Sequence, residues 1–140
     1  MVEEIKNIQG VKGIRVYQTS WILAGSGICL PEIGIFISKA IPEKARLSII
    51  QHEYGHFLDF KNGVNGGPKR LFGSRILGFY ILIGIPSLFN LIPLINQLPI
   101  FKGDHRTFWT EIRANQLAKA HFGKFLAEGF ERSFPSKSIA

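Results

Sequence analysis

The sequence predicts an α+β fold: a small N-terminal β-sheet followed by helices, in a single domain over residues 1–140. Three observations carry this. Short strand-like runs, Ile14–Tyr17, Gly27–Leu30 and Ile33–Ile37, all precede residue 40. From Glu43 the apolar spacing changes to the helical period, with Leu47, Ile50, Tyr54, Phe57 and Leu58 on one broad stripe. A length of 140 residues suits one domain with its own core.

The elements follow in order. Residues 1–13 are polar and punctuated by glycine, which suits a loose lead-in. Ile14–Tyr17 alternates as a strand does. Gly25–Gly27 marks a turn after Trp21–Ala24, and Pro31–Glu32 separates the next two strands. Gly34, inside the last strand, leaves room for another backbone to approach. Pro42 fits the first turn of a helix over Glu43–Lys61, and Asn62–Gly63 fits its end. Helical spacing returns over His105–Phe122, with Phe108, Ile112, Leu117 and Ala118 as the apolar face. Gly123 ends or bends that helix. The tail Ser133–Ala140, rich in serine and lysine, reads as flexible.

Seventeen basic residues against ten acidic ones give a net charge of +7. Such a balance favours acidic partners, either anionic lipid surfaces or nucleic acid. The basic residues are spread along the chain and no nucleic-acid-binding module is visible, so nucleic acid is the less expected partner. The single cysteine, Cys29, allows no intrachain disulfide, and its apolar surroundings suit core packing. The first residues, MVEEIKNIQG, contain no apolar stretch of the kind a secretory signal needs. A cytoplasmic setting is therefore expected, peripheral at a membrane if the apolar stretch discussed below touches lipid.

The chemistry concentrates in HEYGH, His52 to His56, an instance of HExxH in the middle of the first helix. Positions i and i+4 share a helical face, so both imidazoles can reach one Zn²⁺. Glu53 is placed to act as general base on a water activated by that metal. A catalytic zinc commonly takes three protein ligands. Glu111, in Thr110–Asn115, is the best candidate for the third, and Asn115 lies one turn further along the same face. The side-chain oxygen of Asn115 could accept a hydrogen bond from a ligating imidazole and fix its orientation. His105 is an alternative third ligand, or a donor to a developing oxyanion, or an exposed loop histidine. His121 suits the surface or the core, and Asp59 a solvated or supporting place near the metal.

HExxH followed by a helix carrying Glu-x-x-x-Asn resembles the gluzincin branch of zinc peptidases, the thermolysin type, and the chain is similar in size to minimal gluzincins. The metzincin extension HExxHxxGxxH is not met, since Asp59 and Asn62 occupy its Gly and last His positions. The resemblance covers two helices and the strand before the first. It implies a zincin-like fold, zinc held by His52, His56 and Glu111, and Glu53 as general base. Asn115 stands where the family has an Asp that steadies a ligand histidine. Ile33–Ile37 would be the edge strand along which a peptide or protein substrate pairs.

From Ile76 to Phe101 no residue is charged, and an insert over about 69–102 is expected. One helix of that length would reach ~39 Å. Pro86, Pro93 and Pro99 break it instead into shorter pieces. If Glu111 shares a metal with His52 and His56, a single membrane span between them is impossible. The insert is then expected as a helical pair in the core, a contact between copies of the chain, or a shallow contact with an anionic membrane surface. The expected function is zinc-dependent peptide hydrolysis. A DNA-associated zincin and a non-catalytic zinc protein are the alternatives.

Overall fold

The first strand, β1 (Val2–Ile5), forms where polarity suggested a loose lead-in. Its side chains are largely exposed, so no apolar alternation marks it. Backbone pairing with β2 (Val16–Thr19) makes the strand instead, antiparallel from Val2 opposite Thr19 to Ile5 opposite Val16. Glu3 adds two side-chain ties, accepting from Gln18 and Lys39 at 2.7 Å each. In this computed structural model residues 1–22, 27–62 and 109–136 are described. Among them the architecture is mixed α+β, with a four-stranded sheet and three helices.

β3 (Gly27–Leu30) and β4 (Gly34–Ser38) form where the sequence placed strands, joined by a tight turn in which Ile33 N–H donates to Leu30 O at 2.9 Å. The sheet order is β1-β2-β4-β3. β4 pairs parallel with β2 on one side and antiparallel with β3 on the other. The expectation that Ile33–Ile37 is an edge strand is therefore corrected. Both backbone edges of β4 are occupied, and among the described strands the edges are β3 and β1.

Register explains which side chains meet. Val16, Ile35 and Cys29 sit opposite one another across three strands, all buried. With Ile37 they form the apolar face that packs under the helices. On the other face Tyr17 stacks on Phe36, with ring centroids 5.2 Å apart. Gly34 admits this arrangement, since a Cβ there would lie 2.8 Å from the Tyr17 ring. A side chain approaches Gly34, then, and an adjacent backbone oxygen, that of Arg15, would lie at 3.2 Å.

Helix α1 (Glu43–Asn62) starts just after Pro42, as the sequence indicated. Ile50, Tyr54, Phe57, Leu58 and Phe60 join the core, whereas Leu47 is exposed. Helix α2 (Trp109–Phe122) packs against α1. Its buried face is Thr110, Glu111, Ala114, Asn115, Ala118 and Phe122. The expected stripe through Ile112 and Leu117 lies to one side of it, both residues being half-buried. Small and polar residues face α1 because the helices come very close: a Cβ on Gly55 would sit 2.1 Å from the Ala114 carbonyl oxygen. A short 3₁₀ turn (Gly123–Phe125) and helix α3 (Phe130–Ser133) follow.

The tail is not loose where it is described. Phe130 is core, and Phe134 packs against it with ring centroids 5.2 Å apart. Apolar area, and not composition, decides this: Phe134 packs on Phe130 and stacks on His52 in the middle of α1. No described helix is long and apolar enough to cross a membrane. The apolar stretch 76–101, its expected boundaries near 69 and 102, and His105 lie outside the described residues.

Candidate metal centre

Every position of the HEYGH motif has a separate structural task. His52 and His56 point from one face of α1 toward Glu111 on α2. The Nε2 of His52 is 2.9 Å from Glu111 Oε2, and that of His56 is 3.4 Å from the same oxygen. Tyr54 turns the other way into the core. Its hydroxyl donates to the Lys12 carbonyl at 3.0 Å and pins the N-terminal loop. Gly55 admits α2, which carries Glu111. Glu53 lies beside β3, with Oε1 4.0 Å from His52 Nε2.

Ligand atoms of His52, His56 and Glu111 all lie within 4.8 Å of one another, close enough to hold one metal ion. A tetrahedral ion with bonds near 2.0–2.1 Å needs donor pairs about 3.3 Å apart, so the two His–Glu spacings fit. The chemistry of the set fits as well. Two imidazole nitrogens and one carboxylate, all on buried or nearly buried side chains, leave room for a further ligand on a catalytic ion.

Asn115 is fully buried, and its Oδ1 is 2.6 Å from His52 Nδ1. That places it as the acceptor behind the His52 ring, as its spacing from Glu111 implied. His121 is exposed and donates to the Gly10 carbonyl at 2.7 Å, away from the centre. Asp59 is not solvated, and it stands outside the His52, His56 and Glu111 group. It is fully buried and receives Arg113 in a two-pronged ion pair, at 2.6 and 3.1 Å. Sequence reasoning missed Arg113, whose only signal was a basic residue two positions after Glu111. It also missed Phe134, Pro135 and Gln51, which meet His52, Asn115 and the Phe125 carbonyl respectively.

Burial sets the electrostatics. It pushes the Glu53 carboxyl up from its ordinary value, while His52 and His56 pull it back and Glu111 adds to the rise. A backbone hydrogen bond with Cys29 in β3 also favours the carboxylate. Burial would lower His56, but the charge and hydrogen bond of Glu111, with Glu53 and Asp59 behind, carry it up to about 9. Glu111 is itself desolvated, yet His56 and His52 hold it well below the usual carboxylate range. A strongly ionised acid facing two rings is a ready cation site. Burial pushes the Cys29 thiol well up, which suits a core residue and not a nucleophile. The chain matches no family model, no curated protein and no solved structure.

Proposed function

We propose that this chain is a zinc-dependent peptidase of the gluzincin type, with His52, His56 and Glu111 as metal ligands. The observation that carries the reading is Glu53, a buried carboxyl 4.0 Å from the metal-facing nitrogen of His52. A metal that only held the helices together would need no such group. Bound zinc would supply Lewis acidity, acidifying water and polarising a peptide carbonyl.

The chain's residues do the rest. Glu53 takes a proton from the attacking water as its oxygen bonds to the scissile carbon. It returns that proton to the amine nitrogen as the C–N bond breaks. Its raised carboxyl value brings its basicity closer to neutral pH, which suits both transfers. β3 lies directly against this carboxylate: a Cβ on Gly27 would be 3.2 Å from Glu53 Oε1. Among the described strands β3 pairs on one side alone, with β4. An extended peptide added along its other edge would run beside Glu53.

The test is direct. Purified protein should bind about one zinc per chain, and Glu111→Gln should weaken binding 10-fold or more, about the effect of losing a single partner at a metal site. His121→Ala should leave binding unchanged. Glu53→Gln should keep zinc and fold while peptide hydrolysis falls about 100- to 10,000-fold. Wild-type hydrolysis by Glu53→Gln would refute the mechanism.

A further inference from the structure

His52 is held from behind by a segment far away in sequence. The Asn115 side chain bridges the two: its Oδ1 meets His52 Nδ1 at 2.6 Å, and its Nδ2 donates to the Pro135 carbonyl at 2.7 Å. A carbonyl can only accept, so the Pro135 oxygen decides which end of the amide faces it. The other end, Oδ1, must then face the ring. An amide oxygen also only accepts, so Nδ1 carries the hydrogen, and Nε2, 2.9 Å from Glu111 Oε2, is the nitrogen left to face a metal.

The neighbouring residue fixes the plane of the same ring. Phe134 lies flat on the His52 imidazole, with centroids 4.3 Å apart and planes 11° apart. His56 meets that imidazole edge-on at 4.9 Å. The segment is anchored independently of His52. Gln51, adjacent in α1 and fully buried, donates to the Phe125 carbonyl at 3.0 Å and accepts from Ala127 N–H at 2.8 Å. Gln116 Nε2 donates to the Ser136 carbonyl at 2.9 Å.

We infer that Phe134 and Pro135 form a strap that positions the metal-binding nitrogen of His52. Pro135 sets the Asn115 amide and through it the His52 tautomer, and Phe134 sets the ring plane. Both are positioning residues and touch neither metal nor substrate. The strap accounts for an amide at 115. A carboxylate there would press an oxygen against the Pro135 carbonyl, with no hydrogen between them.

The inference rests on the metal reading above, and the experiment separates the two. Zinc affinity is measured by competition with a chromophoric chelator on the full chain. The variants are wild type, Phe134→Ala, Phe134→Leu and Phe134→Trp. Histidine ¹⁵N spectra of the zinc-loaded proteins report the His52 tautomer. Far-UV circular dichroism confirms folding, and Phe134→Leu keeps apolar bulk over Phe130 should Phe134→Ala not fold. Phe134→Leu should bind zinc about 10-fold more weakly, the size seen when a residue supporting a metal ligand is lost. It should also broaden the Nδ1–H signature of His52, while Phe134→Trp restores both. Wild-type affinity and an unchanged His52 signature in Phe134→Leu would overturn the strap alone. A wild-type protein that takes up no zinc would overturn the metal reading and the strap with it.

Discussion

Gly55 shows how one residue type can serve a site it never touches. Its missing side chain lets the Ala114 backbone pass where a Cβ would be 2.1 Å from a carbonyl oxygen. That approach brings Glu111 to 2.9 Å from His52. Backbone cannot swing aside as a long side chain can, so Gly55→Ala must push the helices apart. Overpacking of this kind costs about 1–3 kcal/mol. Urea denaturation should place Gly55→Ala in that range, and zinc affinity should fall as well because α2 carries the proposed ligand Glu111. Full stability with full zinc affinity would mean that the helices do not cross this closely. That the motif's two histidines would share one face toward Glu111 was legible from spacing alone. The reason for glycine at the fourth position was not, because it depends on a partner helix more than 50 residues away. Asn115 was legible only because its spacing from Glu111 placed it on the ligand's face. Nothing local marked Pro135, whose contribution is a backbone carbonyl that any residue type carries.

Between elements, the pairing of α1 and α2 depends on charge as well as on close packing. Asp59 is fully buried, and its partner Arg113 keeps a quarter of its side chain in water. Taking away the arginine leaves the buried carboxylate without its hydrogen-bonded partner, an effect of about 3–5 kcal/mol for fully buried pairs. Partial exposure of Arg113 brings the expectation to about 3 kcal/mol for Arg113→Met. A double-mutant cycle with Asp59→Asn should recover part of that loss, because the unpaired charge is gone. Additive losses from the two substitutions would argue against the pair. The strands tell a related story about legibility. β3 and β4 could be read from apolar runs with a proline turn between them. β1 could not, since its pairing with β2 comes from backbone hydrogen bonds that leave no apolar pattern in Val2–Ile5. Strand order was also hidden: β4 directly precedes α1 in sequence, but it lies inside the sheet between β2 and β3, and β3 is at an edge among the described strands.

At the scale of the whole molecule, a proton and the proposed zinc would compete for the same groups, and pH reveals it. His56, raised from 6.5 to about 9 beside Glu111, holds a proton in the metal-free protein at neutral pH. Its contribution to stability is fully present below about pH 6.5 and is lost as pH rises through about 9. Glu111 has the opposite sign: its depressed value contributes stability above the ordinary carboxylate range, lost only in strong acid. Metal-free protein should therefore lose stability between pH 6.5 and 9. Zinc needs the unprotonated ring, so binding must expel the His56 proton. Calorimetry at pH 7 in buffers of different ionisation enthalpy should find close to one proton released per zinc. Apparent affinity should rise about tenfold per pH unit from 6.5 toward 8, the slope of one displaced proton. Zinc-loaded protein should lack the stability loss above pH 6.5, since the ion replaces the proton between the same groups. Proton release near zero at pH 7 would mean that His56 is already neutral and that Glu111 does not face it as described. The site would then have to bind its ion without the electrostatic pre-charging that the three side chains show.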